Sequence, residues 1–174
     1  MRTAQSTDPQ TAPDLSSVYV VSLDELDNAL VRTGAAYWRA LKAGRKLPAR
    51  SQLRPRDMIG ILRNIVLLKV LDGGKDYEYR ITGDAHVQAY GLPFQDMRIS
   101  QIMAIAPEFG QMMYGLYEHV RVTACPFAVR GWVGREIPDA RFVYYESVFL
   151  PLSEDGENVD HILVVSMYVP KAAA

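Results

Sequence analysis

The stretch that most constrains this chain is Tyr77-Glu-Tyr-Arg-Ile-Thr-Gly-Asp-Ala-His-Val-Gln-Ala-Tyr-Gly91. Aromatic and charged residues alternate up to Gly83, which is a strand period, and the chain then turns at once into a short helix closed by Gly91. In the strand, Tyr77, Tyr79 and Ile81 are expected on one face and Glu78, Arg80 and Thr82 on the other, as suits an edge strand with one wet face. A strand that passes directly into a helix fixes the local chain path, so the neighbouring segments must fit around it. Before it, Ile65-Val-Leu-Leu-Lys-Val-Leu71 is apolar on both faces, and Asp72-Gly-Gly-Lys-Asp76 reads as a turn, so residues 65–82 are expected to form a β-hairpin.

Further upstream, Ser22 and Glu25 have capping-box spacing, and Leu23, Leu26, Leu30, Tyr37, Trp38 and Leu41 recur at helical intervals up to Gly44. One helix is therefore expected from Leu23 to Leu41. Val18 to Val21 reads as a short strand or a docking segment. Residues 1–17 are polar and carry Pro9 and Pro13, the composition of a disordered tail. Downstream, a short helix is expected from Ser100, and Pro107 opens a longer one. The apolar residues Phe109, Met112, Met113, Leu116, Tyr117, Val120 and Ala124 fall on a single face of that helix. Three strands follow, at 127–133, 141–150 and 161–169. No βαβ rhythm links the strands, so the sheet is expected to be antiparallel and the fold α+β.

The 174 residues suffice for a single core, and Cys125 is the one cysteine, which fits a reducing compartment. With 19 basic and 20 acidic residues there is no overall basic field that would suggest a nucleic-acid partner. No apolar run is long enough for a membrane span and no secretory leader is visible, so a cytoplasmic location is expected.

From about Tyr37 to Val169 the chain resembles a PAS domain, more narrowly the PAS-like family common in alphaproteobacteria. The resemblance is carried by Leu47-Pro48, Leu53 with Pro55 and Asp57, Tyr79-Arg-Ile-Thr-Gly83, Ala89-Tyr-Gly91 and Pro151-Leu-Ser-Glu-Asp-Gly156. Arg54, in place of the usual acidic residue, and Asp96-Met-Arg98, in place of a Gly-basic pair, depart from the family pattern. The resemblance implies a five-stranded sheet in the order 2-1-5-4-3, counting from the strand at Ile65, with the inter-strand helices on one face. A helix within residues 18–46 would cap or dimerise on the other, and residues 47–170 would form the PAS-like domain. It also implies a non-catalytic sensory or protein-interaction module in signalling, acting through a partner protein. A homodimer through Leu26, Leu30, Tyr37, Trp38 and Leu41 is expected.

Between helices and sheet, a pocket for a small apolar or aromatic ligand is expected at Tyr79, Tyr90, Phe94, Met113, Tyr117, Trp132, Tyr144 and Glu146. Met103 and Met112 would join that lining, and the same residues can equally serve as plain core. Glu146 is read as sharing a face with Phe142, Tyr144 and Val148, where a carboxylate is costly unless paired. It would be a handle for a polar ligand, the base of an isomerase-like enzyme with Tyr79 or Tyr144 as proton donor, or the partner of Arg130 or Arg141. A pure dimerisation scaffold is the remaining alternative. No cofactor is expected; were haem bound, the family's axial position would fall at His119. The three histidines are scattered without ligand spacing, so no metal site is expected, and Cys125 is read as a small buried residue.

Overall fold

The computed structural model describes residues 18–133 and 139–172, so the expected tail at 1–17 and residues 134–138 lie outside the described residues. In chain order the elements are β1 (Val18–Val21), α1 (Ala29–Lys42), β2 (Ile65–Leu71), β3 (Asp76–Thr82), α2 (Asp84–Tyr90), α3 (Ile99–Ile105), α4 (Pro107–Thr123), β4 (Phe127–Trp132), β5 (Phe142–Leu152) and β6 (His161–Pro170). The strands form one sheet in the order β1-β4-β5-β6-β2-β3, antiparallel throughout.

The expected count of five strands is corrected to six. The added strand is β1, whose β-branched and aromatic residues suit a strand and whose backbone pairs with β4 from Val18 against Gly131 to Val21 against Ala128. Without it, β4 would end the sheet with unpaired backbone groups. The other end of the sheet, β3, is partly covered by a loop: the Tyr79 amide donates to the Met97 carbonyl at 2.9 Å, and the Asp96 amide donates to the Tyr79 carbonyl at 2.7 Å.

The amino-terminal helix begins later than the sequence suggests. Ser22 and Glu25 do form their reciprocal cap, but only over the single turn Leu23–Glu25. The chain then extends, and Asn28 starts α1 by accepting hydrogen bonds from the amides of Leu30 (2.9 Å) and Val31 (3.4 Å). The helix crosses the outer face of the sheet and buries Val31, Gly34, Ala35 and Trp38. A Cβ on Gly34 would come within 2.6 Å of the Val165 side chain in β6, so helix and sheet approach as closely as glycine permits. The Trp38 indole N–H donates to the Pro151 carbonyl at 2.8 Å.

The opposite face carries α2, α3 and α4. Gly83, where β3 passes into α2, lies so close to the Arg63 carbonyl that a Cβ there would be 2.4 Å from its oxygen. Gly91 closes α2 at φ 71°, a left-handed conformation that favours glycine. The α4 stripe packs inward as its period predicts, with Phe109, Met113, Tyr117 and Val120 buried. Tyr77 donates its hydroxyl to Glu118, which also accepts from the Arg121 Nε at 2.6 Å; together they tie the hairpin to α4.

Two bulges reverse faces that simple alternation assigns. Between β2 and β3 the register shifts at Leu67/Leu68, and Arg80 is the unpaired residue, so Ile81 is exposed while Tyr77 and Tyr79 are buried. Between β5 and β6 the register shifts at Phe142/Tyr144, which turns Phe142 toward the helices and away from the face of Tyr144, Glu146 and Val148. Cys125 is exposed rather than buried, just beyond the end of α4.

Candidate functional site

The sheet face under α2 and α4 encloses a small cavity of about 30 Å³, lined among others by His86, Tyr90, Met113, Tyr117, Tyr145, Ser147, Ser166 and Tyr168. The walls come from alternate positions of neighbouring strands. Tyr145, Ser147 and Phe149 project from β5, and Val164, Ser166 and Tyr168 from β6, because successive side chains point to opposite faces. His86 and Tyr90 descend from α2, and Met112, Met113, Leu116 and Tyr117 from α4. The volume suits one or two water molecules.

Side-chain hydrogen bonds run round this cavity. The Tyr79 and Tyr117 hydroxyls lie 2.7 Å apart, as do the hydroxyls of Ser147 and Ser166. His86 Nδ1 is 2.5 Å from the Tyr168 hydroxyl, while its Nε2 is buried with no hydrogen-bond partner. An unpaired ring nitrogen in such a place costs desolvation free energy that nothing among the described residues offsets. Burial pushes His86 down to about 3, so the imidazole is neutral near pH 7. Burial also raises Tyr79, Tyr90, Tyr117 and Tyr168, which keeps each as a phenol. The cavity is therefore polar and uncharged: it can exchange hydrogen bonds with a neutral molecule.

The structure divides the expected pocket residues into three groups. Tyr90, Met113 and Tyr117 line the cavity. Tyr79 and Phe94 stack on each other behind it, ring centroids 5.4 Å apart, with Phe94 5.0 Å from the His86 ring. Trp132, Tyr144 and Glu146 lie elsewhere. Trp132 is 60% exposed and makes an edge contact with Tyr144 beside an open hollow that includes Tyr19, Glu25 and Arg130.

Glu146 is buried on the α1 side of the sheet. Its two oxygens accept the backbone N–H groups of Asp27 (3.1 Å) and Asn28 (2.9 Å), immediately before α1. Of the alternatives for Glu146, a pair with Arg130 or Arg141 is thus replaced by backbone amides, and Arg130 pairs with Asp27. The bulge at Phe142/Tyr144 explains why Phe142 does not share the face of Glu146, and strand alternation sets Glu146 on the side opposite Tyr145 and Ser147, away from the cavity and any base role there. His119 is exposed on the outside of α4, its ring 4.7 Å from Phe127, and not among the cavity walls. Leu26, ahead of α1, and Trp38 within it are consumed in the chain's own core; Leu30 and Tyr37 flank that core half-buried, with the Tyr37 hydroxyl accepting the Arg54 amide at 2.9 Å, and Leu41 is half-buried.

Sequence reasoning missed His86, Ser147, Ser166 and Tyr168 as a set. The available signal was the polar residues at alternate positions of two otherwise apolar strands, Ser147 in β5 and Ser166 with Tyr168 in β6.

One antiparallel sheet, covered by a helical group between its second and third core strands and by a flanking helix on its other face, makes this an α+β single-sheet module. A family model described as PAS domain matches residues 27–166, and the chain belongs to the PAS domain family. The matched region begins one residue before the Asn28 cap, so it takes in α1 as well as the hairpin and the helical cover. Comparison with curated proteins and comparison with solved structures each gave no match. No helix among the described residues is long and apolar enough to cross a membrane.

Proposed function

We propose that this PAS domain is a non-catalytic sensory and protein-interaction module in which a small neutral molecule enters between the sheet and α2–α4 and biases their packing. The observation that carries the reading is the His86 Nε2, unpartnered among the described residues, in the lining of a small, uncharged cavity. A hydroxyl-bearing molecule supplies its missing partner with either tautomer, because a hydroxyl both donates and accepts. The cavity is smaller than a typical ligand pocket, so entry requires the flexible side chains of Met112 and Met113 to move aside. The change would reach a partner protein through α1, which rests on β5 and β6, two of the strands that line the cavity.

Native mass spectrometry of freshly purified protein tests this, together with thermal shift by phenol as a probe. One non-covalent adduct per chain, or a rise in melting temperature with phenol, either of them lost in His86→Phe, is expected. Protein free of adduct and indifferent to phenol would contradict the ligand reading.

A further inference from the structure

The near-neutral total conceals a segregated charge. Residues 29–56 contain eight cations (six Arg and two Lys) and no carboxylate, leaving eleven cations against twenty carboxylates in the rest of the chain. Seven of the eight are exposed, and Lys42 is half-buried over the Trp38 ring. Of these eight, only Arg39 is ion-paired among the described residues, with Asp24 at 3.0 Å. Arg32 spends its guanidinium on the Leu26 and Asp27 carbonyls, and Arg45 on the Gln52 side chain and the Glu154 carbonyl. Cations at the end of α1 offset the helix dipole, which accounts for Arg39 and Lys42 but not for Arg50, Arg54 or Arg56.

The fold gathers these charges on one side. The segment after α1 doubles back on it: the Arg54 amide donates to the Tyr37 hydroxyl at 2.9 Å and the Gln52 amide group to the Leu41 carbonyl at 3.3 Å. Beside Arg32 and Arg39, which share one edge, the outer face of α1 presents Ala29, Thr33, Ala36 and Ala40, all exposed. Over 14 residues that face is about 21 Å long, enough for about four turns of a partner helix to lie close against the backbone.

We propose that the outer face of α1, with the basic segment folded back on it, is a docking surface for an acidic polypeptide segment of a partner protein. Complementary charge is what the surface offers, and arginine forks bind carboxylates in pairs of hydrogen bonds. A uniformly charged polyanion is disfavoured by the carboxylates at the rim (Asp57, Glu154, Asp155 and Glu157) and by the acidic excess of the remaining chain. The proposal rests on the protein-interaction part of the reading above and not on the cavity, so a cavity that takes no ligand leaves it intact.

Fluorescence anisotropy of the full chain with a labelled helical peptide of Glu and Ala, its carboxylates confined to one face, at about 50 mM and about 500 mM salt, is the test. Saturable binding that weakens with salt is expected. The K46E/R50E/R56E variant changes three side chains that make no ion pair among the described residues, and it is expected to bind roughly tenfold more weakly at unchanged melting temperature. Should that variant fold poorly, K46Q/R50Q/R56Q is expected to show an intermediate loss. No binding at low salt, binding untouched by either variant, or tighter binding to duplex DNA or phosphatidylglycerol vesicles would overturn the proposal.

Discussion

The two faces of the sheet solve the same packing problem differently. Under α1, polar groups are matched to backbone: Glu146 takes two amides and the Trp38 indole takes a carbonyl, while Gly34 brings helix and strand into direct contact. Under α2–α4, side chains bond to one another, a cavity remains, and one ring nitrogen is left over. Backbone partners are fixed by the fold, so on the first face α1 moves with the sheet as one body. Side-chain partners can change rotamer, so the second can accommodate a guest. The difference assigns rigidity to the α1 face and response to the α2–α4 face.

The sharpest way to break this comparison is on the rigid face. Glu146→Ala leaves the Asp27 and Asn28 amides unpaired at the start of α1 and is expected to cost about 3 kcal/mol in chemical denaturation, with Glu146→Gln losing less. Gly34→Val places branched carbon against Val165 and is expected to cost about 2–3 kcal/mol.

Next in size is a pH effect that belongs to the responsive face. His86 titrates near 6.5 when unfolded but is held at about 3 in the fold. The unfolded chain therefore takes up the proton first as pH falls. The stability from neutral His86 is complete above pH 6.5 and declines from there toward pH 3, by up to about 2 kcal/mol at pH 5. His86→Phe is expected to flatten that slope relative to the parent chain in urea melts between pH 7 and 5; an unchanged slope would mean that other groups carry it. The smallest expected effect is from Tyr117→Phe, which removes the partner of the Tyr79 hydroxyl and is expected to cost about 1 kcal/mol.

The same contrast separates what could be read from the sequence from what could not. The α4 stripe was legible because a 3.6-residue period survives any tertiary context that buries one face, and the strand at Ile65 because it is apolar on both sides. The order of the five expected strands relative to one another is retained in the sheet, β3-β2-β6-β5-β4, with β1 added beside β4. The faces of Ile81 and Phe142 were not legible, since a bulge inserts one residue and alternation carries no mark of where that happens. The start of α1 was displaced from Ser22 to Asn28 because Glu146, more than a hundred residues away, captures the amides at 27 and 28. The set His86, Ser147, Ser166 and Tyr168 escaped notice because its members come from three separate elements, α2, β5 and β6, and only the pairing of β5 with β6 brings Ser147 beside Ser166.

The most direct test of the account is the ¹⁵N spectrum of the His86 imidazole, followed from pH 7 to pH 4 with and without phenol. A neutral ring across that range, with an Nε2 resonance that moves when phenol is added, is the predicted result. A ring that titrates near 6.5 and ignores phenol would contradict the assignment of the α2–α4 face as the responsive one.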